Sequence, residues 1–230
     1  DTLKDRYTMK HMVPAAVIIA FNWGLYIWAM CHEHMIDASL GYFMAPLMAF
    51  AVSVFMFKER AGRLQLVAMF VAFAGVVASL VMYRTVTVIG LILGLSFTAY
   101  GTIKKRVKVY PAVSIFIECI LLSPFALVLM VSTMQPQISA LSPIDVPLLM
   151  GTGVLTAVPL VLYASAINNI PYITLGFTQY ISPAITVFIG LFYGEVFTPE
   201  KKVLTIAIFA ALALYSYAEL RDYRRTKQEV

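Results

Sequence analysis

Eight stretches of about 20 mostly apolar residues, the length a helix needs to cross a bilayer, follow one another along this chain of 230 residues. They cover approximately 13–31, 38–57, 64–83, 85–103, 112–132, 146–167, 173–193 and 203–218, and within them the only Asp, Glu, Lys or Arg is Glu118. Across the whole chain 61% of residues are hydrophobic and 13% charged, against roughly 25% charged in a soluble domain. An ordinary soluble protein is excluded. The expected fold is all-α, a polytopic membrane helix bundle with eight transmembrane helices. The connections are too short for a soluble domain, and the longest, about 133–145, is rich in Ser, Pro and Gln. Two cysteines, Cys31 and Cys119, give no disulfide framework.

Orientation follows from the loops that hold Lys and Arg, because short basic loops resist translocation. Placing the N-terminus in the cytoplasm puts fourteen of the 17 cations inside, in clusters at Lys4 to Lys10, Lys58 to Arg63, Lys104 to Lys108 and Arg221 to Lys227. Only Arg84, Lys201 and Lys202 then lie outside. Both termini are expected to be cytoplasmic. The formal net charge of +5 has the same origin and suits anionic lipid rather than nucleic acid, so the bilayer is an expected partner and nucleic acid is not.

Comparison of the chain with itself reveals a repeat. LGYFMAPLMAFAVSVFMFKE from Leu40 and LGFTQYISPAITVFIGLFYGE from Leu175 both open Leu-Gly-aromatic, carry a proline (Pro46, Pro183) and close with a Glu (Glu59, Glu195). Tyr26 and Ala29 correspond to Tyr163 and Ala166, an offset of 137 residues. The matching spans run in opposite directions, so the repeat is inverted. Residues 85–230 hold five spans and residues 1–84 only three. The expectation is a remnant of an inverted 5 + 5 repeat: the last three helices of one repeat in 1–84 and a complete second repeat in 85–230. Two helices are expected upstream of Asp1, with a native 3 + 5 protein as the alternative.

The blocks NWGLYIWAM at 22–30, ASLGYFMAPL at 38–47 and FKER at 57–60, the span holding Glu118, and LGFTQYISP followed by FYGE resemble the RarD branch of the EamA-type drug/metabolite transporter superfamily. The resemblance covers essentially the whole chain, apart from the variable CHEHM at 31–35. It implies a ten-helix inner-membrane transporter of two inverted five-helix repeats around a central cavity.

Glu118 is the sharpest candidate for chemistry, because an ionisable group in hydrocarbon is expensive and faces the bundle interior or a water path. It sits six residues into its span, roughly 9 Å from the cytoplasmic end at about 1.5 Å per residue. Two readings stand: a proton- or cation-coupling group, or a structural acid held by Lys104, Lys105 or Arg106, or by a Ser, Thr or Tyr. Asn22, Trp23, Tyr26 and Trp28 make a polar-aromatic cluster in the first span, with Asn22 and Tyr26 on one face. Such a face suits a cavity that grips small organic molecules, or else interhelical packing and lipid contact.

Tyr42 and Met44 precede Pro46, and Gln179 and Tyr180 precede Pro183. Prolines that break corresponding helices of two repeats point to a midplane substrate site, although proline is common in membrane helices and Pro124 and Pro159 occur here as well. The candidate substrate cavity is therefore Asn22, Trp23, Tyr26, Tyr42, Pro46, Tyr163, Gln179, Tyr180 and Pro183. Gly90 and Gly94 form a GxxxG packing stripe. Glu59 and Glu195 are expected to cap or orient the next helix. Cys31, His32 and His34 lack the further ligands that a metal site needs.

No Gly-rich phosphate loop, Ser-His-Asp set or paired carboxylates occurs, so neither cofactor nor ATP-driven pump is expected. The function expected is secondary-active transport of a small organic metabolite or drug by alternating access, with proton coupling open. An integral membrane enzyme and a non-transporting scaffold or sensor are the alternatives. Substrate, direction and oligomeric state are not encoded in any motif.

Overall fold

A single carboxylate starts the first helix. Asp5 accepts the backbone N–H groups of Tyr7 (3.1 Å) and Thr8 (3.3 Å) and the Thr8 hydroxyl, satisfying donors that a helix start leaves open. The Thr8 hydroxyl first, and the Tyr7 N–H after it, hold the Asp5 carboxyl below its usual range. The helix therefore begins at Arg6, before the apolar stretch whose start at 13 the sequence marks. Two other starts are prolines: Pro111 and Pro199 stand at first helical positions, where their missing N–H has no intrahelical role.

The computed structural model describes residues 5–32, 34–83, 88–133, 141–182, 185, 192 and 198–228. Among these residues the order is α1 (Arg6–Cys31), α2 (Met35–Phe55), α3 (Arg63–Tyr83), α4 (Val88–Arg106), α5 (Pro111–Thr133), α6 (Asp145–Asn169), α7 (Tyr172–Thr178) and α8 (Pro199–Gln228), with no strand. The protein is an all-α, polytopic helical membrane protein. Among the described residues five segments are long and apolar enough to cross a membrane: Arg6–Cys31, Arg63–Met82, Pro111–Thr133, Asp145–Asn169 and Lys202–Arg221. A shorter apolar helix covers Gly41–Phe55. The other two expected spans fall on α4, which ends in Lys104, Lys105 and Arg106, and on the stretch that opens with the seven residues of α7. Pro14, Pro46, Pro124 and Pro159 lie inside helices α1, α2, α5 and α6.

The chain divides into two compact units, Asp1–Trp23 with Ala99–Ile170 and Gly24–Thr98 with Pro171–Val230. Each draws on both stretches of the sequence repeat. In the first, Met12, Val107 and Ile117 form a small buried cluster with Met9, Val109 and Leu121 packed against it.

The second unit has the larger core, built from α2, α3, α7 and α8: Phe50, Ala68, Met69, Ala72, Val76, Ile173, Phe177, Tyr180, Leu204, Ile208, Ala211 and Tyr215. Its centre is Phe177, stacked on Tyr215 (centroids 3.9 Å apart) and met edge-on by Phe50. Small residues allow the helices to come this close. A Cβ on Gly75 of α3 would collide with Ala207 Cβ of α8. A Cβ on Gly41 of α2 would lie 2.8 Å from the Gly90 carbonyl oxygen, and one on Gly94 3.2 Å from that of Gly41. The GxxxG of α4 thus receives the glycine of the Leu-Gly-aromatic motif. In the second copy of that motif, Gly176 of α7 faces the Pro46 carbonyl oxygen and Ala49 Cβ of α2, each 3.4 Å from where its own Cβ would be.

Candidate functional site

In the first unit, two i, i+4 pairs face one another across the α4–α5 hairpin: Tyr100 and Lys104 on α4, Ser114 and Glu118 on α5. A tight connection sets the facing, with Val107 N–H bonded to the Lys104 carbonyl and Ser114 N–H to that of Tyr110. Lys104 Nζ lies 2.8 Å from Glu118 Oε1, and the two side chains are 3% and 6% exposed. The Tyr100 hydroxyl donates to Glu118 Oε2 at 3.1 Å. Lys104 also donates to the Ser114 hydroxyl, and its ammonium stands 5.6 Å from the centre of the Tyr100 ring. Ser114 Oγ in turn approaches Met12 Sδ at 3.6 Å.

Each carboxylate oxygen of Glu118 therefore has a donor. Of the three cations named as holders, Lys104 takes the role; Lys105 donates to the Ile170 carbonyl oxygen (3.0 Å) and Arg106 is exposed. The pair is chemically neutral as a unit. Uptake of one proton from solution by the carboxylate would break the contact and leave the ammonium uncompensated.

The other candidates of this unit are Asn22, buried on α1, Trp23, partly exposed, and Tyr163 of α6, whose ring stacks on Tyr100 at 6.5 Å and 14°. Tyr100 thus touches the ion pair with its hydroxyl and a candidate cavity tyrosine with its ring.

Tyr26, Tyr42, Pro46, Gln179 and Tyr180 fall in the second unit. Tyr26 and Tyr42 meet edge-on at 5.3 Å, and Tyr42 remains 41% exposed. Pro46 and Tyr180 are fully buried, and the Tyr180 hydroxyl donates to the Phe43 carbonyl oxygen (3.1 Å), one turn before Pro46. Gln179 is half-buried just past α7. Met44 is half-buried against the core, and Pro183 lies outside the described residues. Trp28 stacks on His32 (4.8 Å) and His34 (5.5 Å) at the end of α1, where Cys31 is exposed. Among the described residues no cluster of three or more His, Cys, Asp or Glu is placed to hold a metal ion.

Glu59 holds a helix start, though not that of the next helix. Its Oε1 accepts the Tyr172 N–H (2.8 Å) and its Oε2 the Ile173 N–H (2.9 Å) and the Ser53 hydroxyl (2.9 Å), so it caps α7 from 113 residues away. Phe57 packs edge-on against Tyr172 beside it. Glu195 lies outside the described residues.

A third carboxylate, Glu219 of α8, was not singled out by sequence because it falls just beyond the last apolar span. Its Oε1 accepts from Tyr215 (2.7 Å), Gln65 (3.0 Å) and Thr174 (3.3 Å). The Tyr215-x-x-x-Glu219 spacing was the available signal. Tyr100 was hidden because it reads as an apolar span residue, whereas Lys104 is one of the three cations expected to reach Glu118.

Residues 85–217 match the EamA-like transporter family. The chain is 38% identical over 229 residues to the uncharacterized transporter YojE of Bacillus subtilis, covering 98% of this chain and 76% of that protein. It is 36% identical over 217 residues to the protein RarD of Streptomyces exfoliatus (93% and 69% covered) and 34% identical over 218 residues to the protein RarD of Escherichia coli (93% and 74%). With apolar helices in series, a buried ion pair between two of them, and relatives that match nearly its whole length, the chain belongs to the EamA-like transporter family as a RarD-like, multi-pass membrane protein.

Proposed function

We propose that this membrane transporter is a secondary-active permease for a small organic metabolite or drug, working by alternating access, with the Lys104–Glu118 pair as its proton-coupling element. The observation that carries the reading is the placement of that pair, because a buried ion pair is a poor way to stabilise a fold and intramembrane charges mark transport paths. Binding of a proton by Glu118 frees Lys104, and loss of that proton restores the contact, so the state of the pair and the protonation of the protein change together. Tyr100 follows the carboxylate through its hydroxyl and Tyr163 through its ring.

Recognition falls to polar-aromatic side chains: Asn22, Trp23 and Tyr163 in one unit, and Tyr26, Tyr42, Gln179 and Tyr180 with Pro46 and Pro183 in the other. Such a set offers ring faces and a few hydrogen bonds and no fixed charge. In this reading the protein lies in the inner membrane with both termini cytoplasmic, and its two stretches 1–84 and 85–230 act as related, inverted repeats.

The test is reconstitution into proteoliposomes with an imposed pH gradient, challenged with a panel of amino acids, nucleosides, amines and aromatic antibiotics. A solute that collapses the gradient in the parent and not in Glu118→Gln supports the reading. Solute movement at the same rate with no proton flux in either protein removes the coupling, and no movement of any solute removes the permease.

A further inference from the structure

We propose that the Glu59 carboxylate is a releasable latch on the start of α7, a positioning residue that decides whether the segment leading to Gln179 and Tyr180 stays docked on α2. The inference rests on the proposed function only for why that segment matters; the latch itself is argued from its own geometry.

The first N–H groups of a helix need acceptors, and most helices draw one from a Ser, Thr, Asp or Asn at their own start. Pro171 precedes α7 and supplies none. The N–H groups of Tyr172 and Ile173 go instead to the two oxygens of Glu59, and the third residue, Thr174, gives its hydroxyl to Glu219. Acceptors from remote parts of the chain can withdraw without any change inside α7. A helix of seven residues is also too short to persist unaided, so losing them matters.

The turn that delivers Glu59 is under tension. Lys58 sits at φ 55°, the one non-glycine residue in the left-handed region among those described, and this reversal aims the next side chain back at α7. Ser53, fully buried, grips the same carboxylate through its hydroxyl and accepts the Glu59 N–H on its carbonyl. Beyond the latch, Gly176 packs on Pro46 and Ala49, and Tyr180 bonds the Phe43 carbonyl. The chain from 172 to 180 therefore lies along α2 in the opposite direction, fastened at one end by Glu59 and at the other by Tyr180. Letting go at Glu59 frees the first two N–H groups of that strap, and among the described contacts its start is then held through the Thr174–Glu219 contact and the Phe177–Tyr215 stack on α8.

Cysteine labelling tests this without any solute, so its failure and a failure of the transport reading are separable. In a Cys31→Ser/Cys119→Ser background, single reporters go at Ile173, which the latch covers, and at Ala72, in the α3 core; both are buried. N-ethylmaleimide labelling rates are measured on the folded protein in membranes. The latch predicts that Ile173→Cys labels at least tenfold faster than Ala72→Cys in the parent, through transient release. It predicts a further tenfold or greater rise at Ile173 alone on Glu59→Gln, which replaces an acceptor oxygen by a donor. Ser53→Ala, which leaves both backbone contacts in place, gives a smaller rise at the same site. Equal slow labelling at both sites in the parent, or a rise at both together in Glu59→Gln, would make Glu59 a static cap and overturn the proposal.

Discussion

Glu118 is a carboxylate buried on a helix and Glu59 a half-buried one in the connection between α2 and α3, and their described contacts differ in kind. Glu118 meets a full opposite charge, the Lys104 ammonium, with a tyrosine hydroxyl on its other oxygen. The described contacts of Glu59 include two backbone N–H groups at a helix start and a serine hydroxyl. A charge pair that takes up one proton from solution passes from neutral to net positive, whereas a carboxylate on backbone N–H groups loses its grip when it is protonated or withdrawn. The first arrangement suits an element that stores and releases a proton, the second an element that fastens and unfastens a helix.

The largest effect that would sharpen this contrast comes from splitting the charge pair. Lys104→Met leaves Glu118 buried without its counter-charge and should destabilise the protein by roughly 3–5 kcal/mol, while Lys104→Met/Glu118→Leu should return close to the parent. Thermal unfolding of the two variants in detergent measures the difference; equal losses in both would mean that the residues do not act as a pair.

Next comes the dipolar side. Tyr215→Phe keeps the ring stacked on Phe177 and removes only the hydroxyl that Glu219 accepts, an expected loss of about 1.5–3 kcal/mol for a hydrogen bond to a charged group. A silent Tyr215→Phe would say that Glu219 needs only Gln65 and Thr174. Packing should separate the units too. Gly75→Ala drives a methyl into Ala207 and should destabilise by about 1–3 kcal/mol, whereas Gly151→Ala, with open space around it, should be close to neutral in the same melting experiment.

The smallest effect is at the start of α1. The Asp5 carboxyl is held below its usual range in the folded protein, so its contribution is present above the ordinary carboxylate value and is lost as pH falls through the lowered folded value. Protection of the Tyr7 and Thr8 amides, taken relative to the intrinsic exchange rate at each pH, should therefore fall on acidification, and Asp5→Asn should remove that pH dependence.

What the sequence disclosed and what it concealed follow the range of the physics involved. Apolar length is a local property, so the helical spans and the exceptional Glu118 could be read directly. Cap chemistry is local as well, yet it acts outside the apolar run, which is why α1 begins at Arg6 under Asp5 rather than at 13. Pairings over long separations were not legible. Nothing near Glu59 in sequence says that it closes on Tyr172, and Glu219 finds Gln65 from 154 residues away. Lys104 stood between the two cases: it was named among the cations able to reach Glu118, but one-dimensional counting placed it with the loop charges. Pro183 and Glu195, the second members of the two repeat-derived pairs, lie outside the described residues.

The most direct measurement of the central claim is the pH profile of solute exchange by the reconstituted protein, parent beside Glu118→Gln, for whichever solute the panel reveals. The account expects exchange that varies with pH in the parent and a flat profile in the variant, because the amide cannot bind or release the proton. The same pH dependence in both proteins would contradict it and leave the Lys104–Glu118 pair a structural one.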